Sequence, residues 1–152
     1  MNIENDVLGD GEIDVVLYEK YSGDSTKGFV PAYRFNIVLH KTGEKIGHIN
    51  LRLGDTEKVV NYIGHIGYGV EELYRGRRIA SRACNLIKKV ADDLGMKRLI
   101  ITCNPDNYAS RRTCEIIGAK LIEIINIPDT SDAYRIGEYQ KCRFEWIIES
   151  AF

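Results

Sequence analysis

The sequence predicts one α/β domain with a mixed sheet, and a change of hydrophobic period carries that prediction. Apolar residues alternate with polar ones over Tyr33–Leu39 and Ile49–Leu53, which is typical of half-buried strands. A turn at Thr42–Glu44 lies between them, so the two strands are expected to pair as a hairpin. Over Ile79–Leu94 the period becomes about 3.6, which indicates an amphipathic helix, and Gly95 ends it.

The other predicted elements surround this helix. Strands are expected at about 12–20, 62–70, 99–103, 120–127 and 139–148, and a second helix at about 107–117. The strand at Leu99–Cys103 is apolar on both faces, as in the centre of a sheet. Because a helix connects the fourth strand to the fifth, we expect those two strands to run parallel through a right-handed crossover. The other neighbours are expected to form antiparallel hairpins.

The composition limits the classes of function. The 152 residues suit a single domain, 1–152. Because 21 Lys and Arg face 22 Asp and Glu, no global positive field exists to attract nucleic acid or a membrane surface. No apolar run approaches the roughly 18 residues of a membrane span. The four cysteines have no zinc-type spacing and no secretory leader opens the chain, so we expect a cytoplasmic protein with reduced thiols and no metal.

The segment Tyr74–Ala80 (YRGRRIA) lies between a predicted strand and the helix that follows it. The first-turn N–H groups of a helix have no partners within it and the helix dipole is positive there, so such a terminus binds phosphate. Gly76 permits a tight turn, and three arginines add charge. The alternative is a solvated basic loop at the start of a structural helix. The spacing fits neither a Walker loop nor the dinucleotide motif.

Three segments together resemble the acetyl-CoA signature of the GNAT superfamily of N-acetyltransferases. They are Ile66–Val70 (IGYGV), Tyr74–Ala80, and Asn107–Ala119 (NYASRRTCEIIGA). The likeness spans about Ile46–Ile127, and its second half most resembles the branch that acts on ribosomal-protein N-termini. The resemblance implies a GNAT-like three-layer fold with a mostly antiparallel sheet, a central parallel strand–helix–strand unit and helices on both faces. It also implies acetyl transfer from acetyl-CoA to a primary amine by direct attack in a ternary complex.

The resemblance further implies a cofactor site. The backbone amides of Arg77–Ala80 would hold the CoA pyrophosphate, the fourth and fifth strands would splay to admit the pantetheine arm, and the Val70 amide would polarise the thioester carbonyl. The implied cofactor residues are Tyr68, Gly69, Val70, Arg75, Gly76, Arg77, Arg78, Ile79, Ala80, Ser81, Asn107 and Ser110. The sequence departs from the family pattern twice. Arg78 occupies a position that is usually glycine, and only Tyr21–Ala32 is available where the family usually has one or two helices.

The catalytic acid and base are less well defined by the sequence. Asn107, Ser110 and Cys114 share one face of the second helix, and the family's general-acid tyrosine would fall at Cys114. A thiol of ordinary pKa could exchange a proton with CoA at little cost, although a buried packing role is the alternative. His65 is a candidate for the base that deprotonates the amine. His48, Glu71 and Glu72 are the other candidates for the base.

The acceptor is predicted to be a small-molecule or peptide amine. Asp24, Asp129, Asp132 and Glu138 lie on the segments expected to flank the cleft, and they predict a preference for cationic amines. A non-catalytic acyl-CoA-binding regulatory module is the alternative function, because the tyrosine is missing. A nucleic-acid-binding domain is disfavoured by the near-neutral charge. The sequence is compatible with a homodimer.

Overall fold

The computed structural model describes residues 7–148. The strands are β1 Leu8–Gly9, β2 Ile13–Tyr21, β3 Ala32–Leu39, β4 Lys45–Arg52, β5 Ile66–Val70, β6 Arg98–Cys103, β7 Lys120–Asn126 and β8 Gln140–Ile147. The helices are α1 Ile79–Asp93, α2 Tyr108–Ile117 and the short α3 Asp132–Arg135. A π-helical turn at Val59–Ile63 precedes β5, and a 3-10 turn at Glu72–Tyr74 follows it. Both long helices and the main strands that the periodicity predicted are confirmed. The predicted domain bounds, 1–152, lie outside the described residues at both ends.

The strands form two antiparallel sheets. The first has the order β1-β2-β3-β4-β5, and the second has the order β6-β8-β7. The predicted hairpin of β3 and β4 is confirmed, with Phe35 opposite Ile49. Both residues are fully buried, because strand alternation directs every second side chain of each strand into the same core.

The predicted parallel pairing of the strands on either side of α1 is not formed. In residues 7–148, β5 ends the first sheet and β6 ends the second, so each has its own antiparallel ladder. The backbone joins them at one point, where the His65 N–H donates to the Ile100 carbonyl at 2.7 Å. A connecting helix predicts that two strands are neighbours, but the hydrogen bonds between strands depend on the whole sheet. The result is that β5 has an unpaired edge.

The helices lie on one side of the core rather than on both faces as expected. Cys84 of α1 and Cys114 of α2 are buried in the same apolar cluster as Phe35 and Trp146. The physical reason lies in the β2–β3 connection, where the segment that could supply helices for the other face forms only a turn closed by a bridge between Asp24 and Phe29. Neither α1 nor α2 therefore covers the opposite face of the first sheet, on which His48, Asn50 and Arg52 lie.

Within residues 7–148 no helix is both long and apolar enough to cross a membrane. The same residues contain no group of three side chains arranged to hold a metal ion.

Candidate active site

A cavity of about 550 Å³ lies between the end of β5, the start of α1 and one face of α2. It brings together the three segments that the sequence singled out. All of the predicted cofactor residues line it except Arg77 and Ser81. Arg77 instead lies over the Tyr74 ring, 5.4 Å from its centroid, and the Ser81 hydroxyl donates to the Arg78 carbonyl at 2.9 Å.

The β5 backbone directs free hydrogen-bonding groups away from β4. In their ladder, the Glu71 N–H donates to the Ile46 carbonyl at 2.8 Å, and the Arg52 N–H donates to the His65 carbonyl at 2.7 Å. Antiparallel pairs alternate, so Val70, which is opposite Gly47, belongs to a non-hydrogen-bonded pair. Its N–H therefore points toward the unpaired edge of β5. The Val70 carbonyl points the same way and accepts from Nε of Arg75 at 3.1 Å.

The turn into α1 contains a strained arginine. Arg78 has φ 58° and ψ 26°, and in residues 7–148 it is the one residue other than glycine with a positive φ. This conformation costs an L-residue about 1–2 kcal/mol. The position that the family usually fills with glycine thus has a backbone conformation that favours glycine. No side chain among residues 7–148 caps this end of α1, which leaves first-turn N–H groups available to a ligand.

One part of the cavity wall is formed by Asn107 and Ser110 of α2 and by Tyr68 of β5. The Asn107 side chain accepts from the Ser110 N–H at 3.1 Å and so caps the helix. The Tyr68 hydroxyl donates to Oγ of Ser110 at 3.2 Å, which ties β5 to α2 across the cavity. Burial raises the pKa of Tyr68 to about 12, so the phenol is neutral at pH 7 and acts as a hydrogen-bond donor.

Cys114 does not have the properties expected of a general acid. Its thiol is fully buried beside Cys103, Cys84 and Cys142, and it does not line the cavity. Burial raises the pKa of Cys114 far above its ordinary value. The balanced proton exchange with CoA, on which the prediction depended, is therefore lost. The geometry favours the alternative in which Cys114 is a small packing residue.

His65 is engaged by the fold rather than available for catalysis. The imidazole is fully buried; its Nδ1 accepts from the Ile100 N–H at 2.8 Å, and its Nε2 lies 2.7 Å from Oδ1 of Asp55. Both ring nitrogens are occupied, so neither can take a proton from a substrate. The geometry thus argues against His65 as the base. Its structural role is to join the two sheets at the point from which β5 and β6 separate.

His48 lies next to Val70, whose N–H is predicted to polarise the thioester carbonyl, whereas His65 is buried between the sheets. A Cβ built on Gly69 would be 2.6 Å from Cε1 of His48, so the exposed imidazole covers the β5 backbone next to Val70. The sequence indicates His48 only as one of several candidates for the base that deprotonates the amine. The signal that could have selected it is the Gly-Tyr-Gly of β5, because the glycines leave room for side chains from β4.

The predicted acidic rim is largely occupied by local interactions. The Asp24 carboxylate accepts from the Thr26 hydroxyl at 2.6 Å and from the turn backbone. Glu138 accepts from Asn104 at 3.0 Å and pairs with Lys141 at 3.4 Å. The Asn104 hydrogen bond and Lys141 lower the pKa of Glu138, so it is ionised but already has partners. Asp132 lies 3.6 Å from Arg135, so three of the four predicted rim carboxylates have a local partner.

Comparison with known families identifies the fold. The family model described as acetyltransferase (GNAT) domain matches residues 11–120. The chain belongs to the GNAT acetyltransferase family. No curated protein sequence matches it.

Solved structures agree on the fold of this GNAT domain. The RimL ribosomal L7/L12 alpha-N-protein acetyltransferase in complex with coenzyme A is 14% identical with a TM-score of 0.71, and the match covers 96% of this chain and 100% of that one. An acetyltransferase (GNAT family) from Bacillus anthracis is 18% identical with a TM-score of 0.67, covering 95% and 100%. The microcin C7 self-immunity acetyltransferase MccE, in complex with acetyl-CoA and AMP, is 22% identical with a TM-score of 0.61. That match covers 77% of this chain, which spans only 61% of the MccE chain.

Proposed function

We propose that this GNAT domain is an acetyl-CoA-dependent N-acetyltransferase that acts on a primary amine by direct attack in a ternary complex. The observation that carries the proposal is the cavity between the unpaired edge of β5 and the uncapped start of α1. It offers backbone donors at two separated points, as a long ligand with a phosphate end and a reactive carbonyl end requires. The RimL structure is a complex with coenzyme A and the MccE structure a complex with acetyl-CoA, and both support the same ligand here.

The residues at the start of α1 fit the phosphates of that ligand. The first-turn N–H groups have no acceptors within the helix, and the helix dipole favours an anion there. Arg75 and Arg78 line the same cavity and add charge-assisted hydrogen bonds. The strain at Arg78 supports a binding role, because strained backbone concentrates at functional sites. Asn107 and Ser110 line the opposite wall.

The residues around Val70 fit the transfer step. Acetyl-CoA, when bound, supplies an activated acyl group. The Val70 N–H, which no strand in residues 7–148 uses, is the donor that would stabilise the negative charge on the carbonyl oxygen in the transition state. His48, one residue pair away on β4, would accept the proton that the attacking amine loses. This assignment replaces His65 and does not require Cys114.

The test measures binding and turnover separately. Calorimetry should detect CoA binding in the micromolar range, and a panel of primary amines should include at least one that is acetylated with release of free CoA thiol. Binding without turnover of any amine would favour the alternative, a non-catalytic acyl-CoA-binding regulatory module. Failure to bind CoA would contradict both.

A further inference from the structure

A second cavity, of about 250 Å³, lies where β4 ends and the Tyr21–Ala32 connection folds against it. Three cations, Arg34, Arg52 and Lys58, line it. Two aromatic rings also line it, and each has a cation against its face. Arg34 lies 4.4 Å from the Tyr21 ring centroid, and Lys58 lies 4.8 Å from that of Phe29. The rings hold the cations in place without neutralising them.

Arg52 is the centre of this cavity's charge. Its Nη1 donates to the carbonyls of Ile63 and Gly64 at 3.0 and 2.9 Å, and no carboxylate in residues 7–148 pairs with it. Burial and the neighbouring charge of Arg34 lower the pKa of Arg52. Arg34 forms an ion pair with Glu19, with 2.7 Å between its Nη1 and Oε1 of the carboxylate. A partly buried guanidinium without a counter-ion, beside a second arginine, is stabilised by any anion that reaches it.

Three polar side chains of β4, here called the polar track, lie between this cavity and Val70. His48, Asn50 and Arg52 alternate along β4 and so share one face of the sheet. The glycines of β5 lie opposite, with the His48 ring over Gly69. A Cβ built on Gly67 would be 3.3 Å from a guanidinium nitrogen of Arg52. Oδ1 of Asn50, between the two, is buried and has no hydrogen-bond partner in the described part of the chain.

The length of the polar track sets the distance between the nitrogen of a bound amine and the group that contacts Arg52. Three residues of extended chain separate Val70 from Gly67, which corresponds to roughly 10 Å. An amine that attacks beside Val70 and His48 can therefore reach the Arg52 guanidinium only with a group about that far from its nitrogen. The space near the cations is small, which suits a carboxylate or a phosphate group rather than a folded protein surface.

We propose that the acceptor is a small primary amine with a carboxylate or phosphate about 10 Å from its nitrogen, bound along His48 and Asn50 with its anion held by Arg34, Arg52 and Lys58. The inference rests on the proposed acetyl transfer and adds its substrate class. It reverses the cationic preference that the sequence predicted, because Asp24 and Glu138 already have partners.

The experiment uses acceptors of matched length: aminohexyl phosphate, aminooctanoate, octylamine and diaminooctane. We expect kcat/KM for the two anionic amines to exceed that for octylamine by at least about tenfold and that for diaminooctane by more, since only the anionic amines can accept charge-assisted hydrogen bonds from the cations. The ratio of the phosphate to the carboxylate substrate identifies which anion the site prefers. A preference for diaminooctane would overturn the proposal.

The variants identify the cations. Lys58→Glu and Arg34→Gln should raise KM for the preferred anionic amine about tenfold or more, leave kcat within about twofold, and leave KM for octylamine unaltered. Arg52→Gln should have the largest effect on KM, although it also removes the hydrogen bonds to Ile63 and Gly64. Arg98→Gln, which removes an exposed arginine paired with Glu145 on another strand, is the matched control. An unchanged KM in folded Lys58→Glu and Arg34→Gln would contradict the assignment.

A binding arm separates failure of the inference from failure of the proposed function. Aminohexyl phosphate, which cannot be acetylated without acetyl-CoA, is titrated calorimetrically into the parent protein and into Lys58→Glu. Binding by the parent that is lost in the variant supports the anion site even if no amine is turned over. Absence of binding by the parent in the presence and in the absence of CoA would contradict the site, whatever the turnover result.

Discussion

The cavity at the start of α1 and the cavity at the end of β4 are both cationic but are built in different ways. The first, at the start of α1, uses backbone groups: the free N–H of Val70, the first-turn amides and the left-handed turn at Arg78. The second, at the end of β4, uses side chains from segments far apart in the chain, including Tyr21, Arg34 and Lys58. A site made from backbone needs a short contiguous motif, whereas a site made from side chains needs the fold. The first therefore suits a ligand common to a family, and the second an acceptor particular to this chain.

The largest expected effect is a loss of CoA binding caused by a substitution in the first cavity alone. Gly76 has φ 81°, which proline cannot adopt, so Gly76→Pro should weaken CoA binding at least about 100-fold in calorimetry. Gly76→Ala is the matched control. In the described part of the chain nothing lies within 4 Å of its added Cβ, so only the positive φ opposes it, at about 1–2 kcal/mol. Equal CoA affinity in folded Gly76→Pro would show that this turn does not hold the phosphates.

The next largest effect concerns the proposed general base, His48. His48→Gln should lower kcat about 100-fold while CoA affinity stays within about twofold, because general-base catalysis contributes that much and the ring lies on the acceptor side. Gly69→Ala should lower kcat as well, since its Cβ would displace the imidazole.

Two variants serve as controls for His48. His40→Gln removes an exposed histidine that pairs with Asp14 and should leave kcat unchanged. Cys114→Ser should also leave kcat within about twofold, in contrast to the role that the family position suggested. A loss of kcat in Cys114→Ser, with His48→Gln unaffected, would return the acid role to Cys114 and remove the base role from His48.

A third prediction concerns the point at which the sheets are joined. His65→Ala leaves the Ile100 N–H without its acceptor inside the core and creates a void, so the free energy of unfolding should fall by about 2–4 kcal/mol. Urea denaturation checks this value. Activity per folded molecule below the transition should be retained, because neither nitrogen of His65 faces a substrate. A normal stability with lost kcat would instead restore His65 as a catalytic residue.

The smallest effect concerns the strain at Arg78. Arg78→Gly removes a left-handed L-residue, a gain of about 1–2 kcal/mol, but it adds backbone entropy to the unfolded chain, a loss of about 0.5–1 kcal/mol. The net stability change should be an increase of about 1 kcal/mol or less, measured by denaturation. CoA affinity should fall a few-fold, because the guanidinium that lines the cavity is lost. Tighter CoA binding in Arg78→Gly would mean that the arginine is not a phosphate ligand.

The sequence by itself predicts the local elements and the residues that line the first cavity. The alternation in β3 and β4 and the 3.6-residue period of α1 follow from which side chains each element buries. The turn before α1 combines a glycine, a helix start and arginines within a few residues, so its fit to phosphate can be recognised without a structure. Even the departure at Arg78 was visible, although its left-handed conformation was not.

Tertiary structure alone decided what these elements do together. The sequence does not record that β5 and β6 belong to separate sheets, since a strand's partner depends on the packing of the whole chain. Nor does it record that His65 and Cys114 are buried, because one histidine and one thiol have the same local pattern whether they face a core or a cavity. The charge available near the candidate acceptor site also depends on long-range contacts, since Asp24 and Glu138 have partners in the fold while Arg52 has no carboxylate partner in residues 7–148. Local periodicity thus determined the elements and the backbone site, and long-range contacts determined which side chains remained free to act.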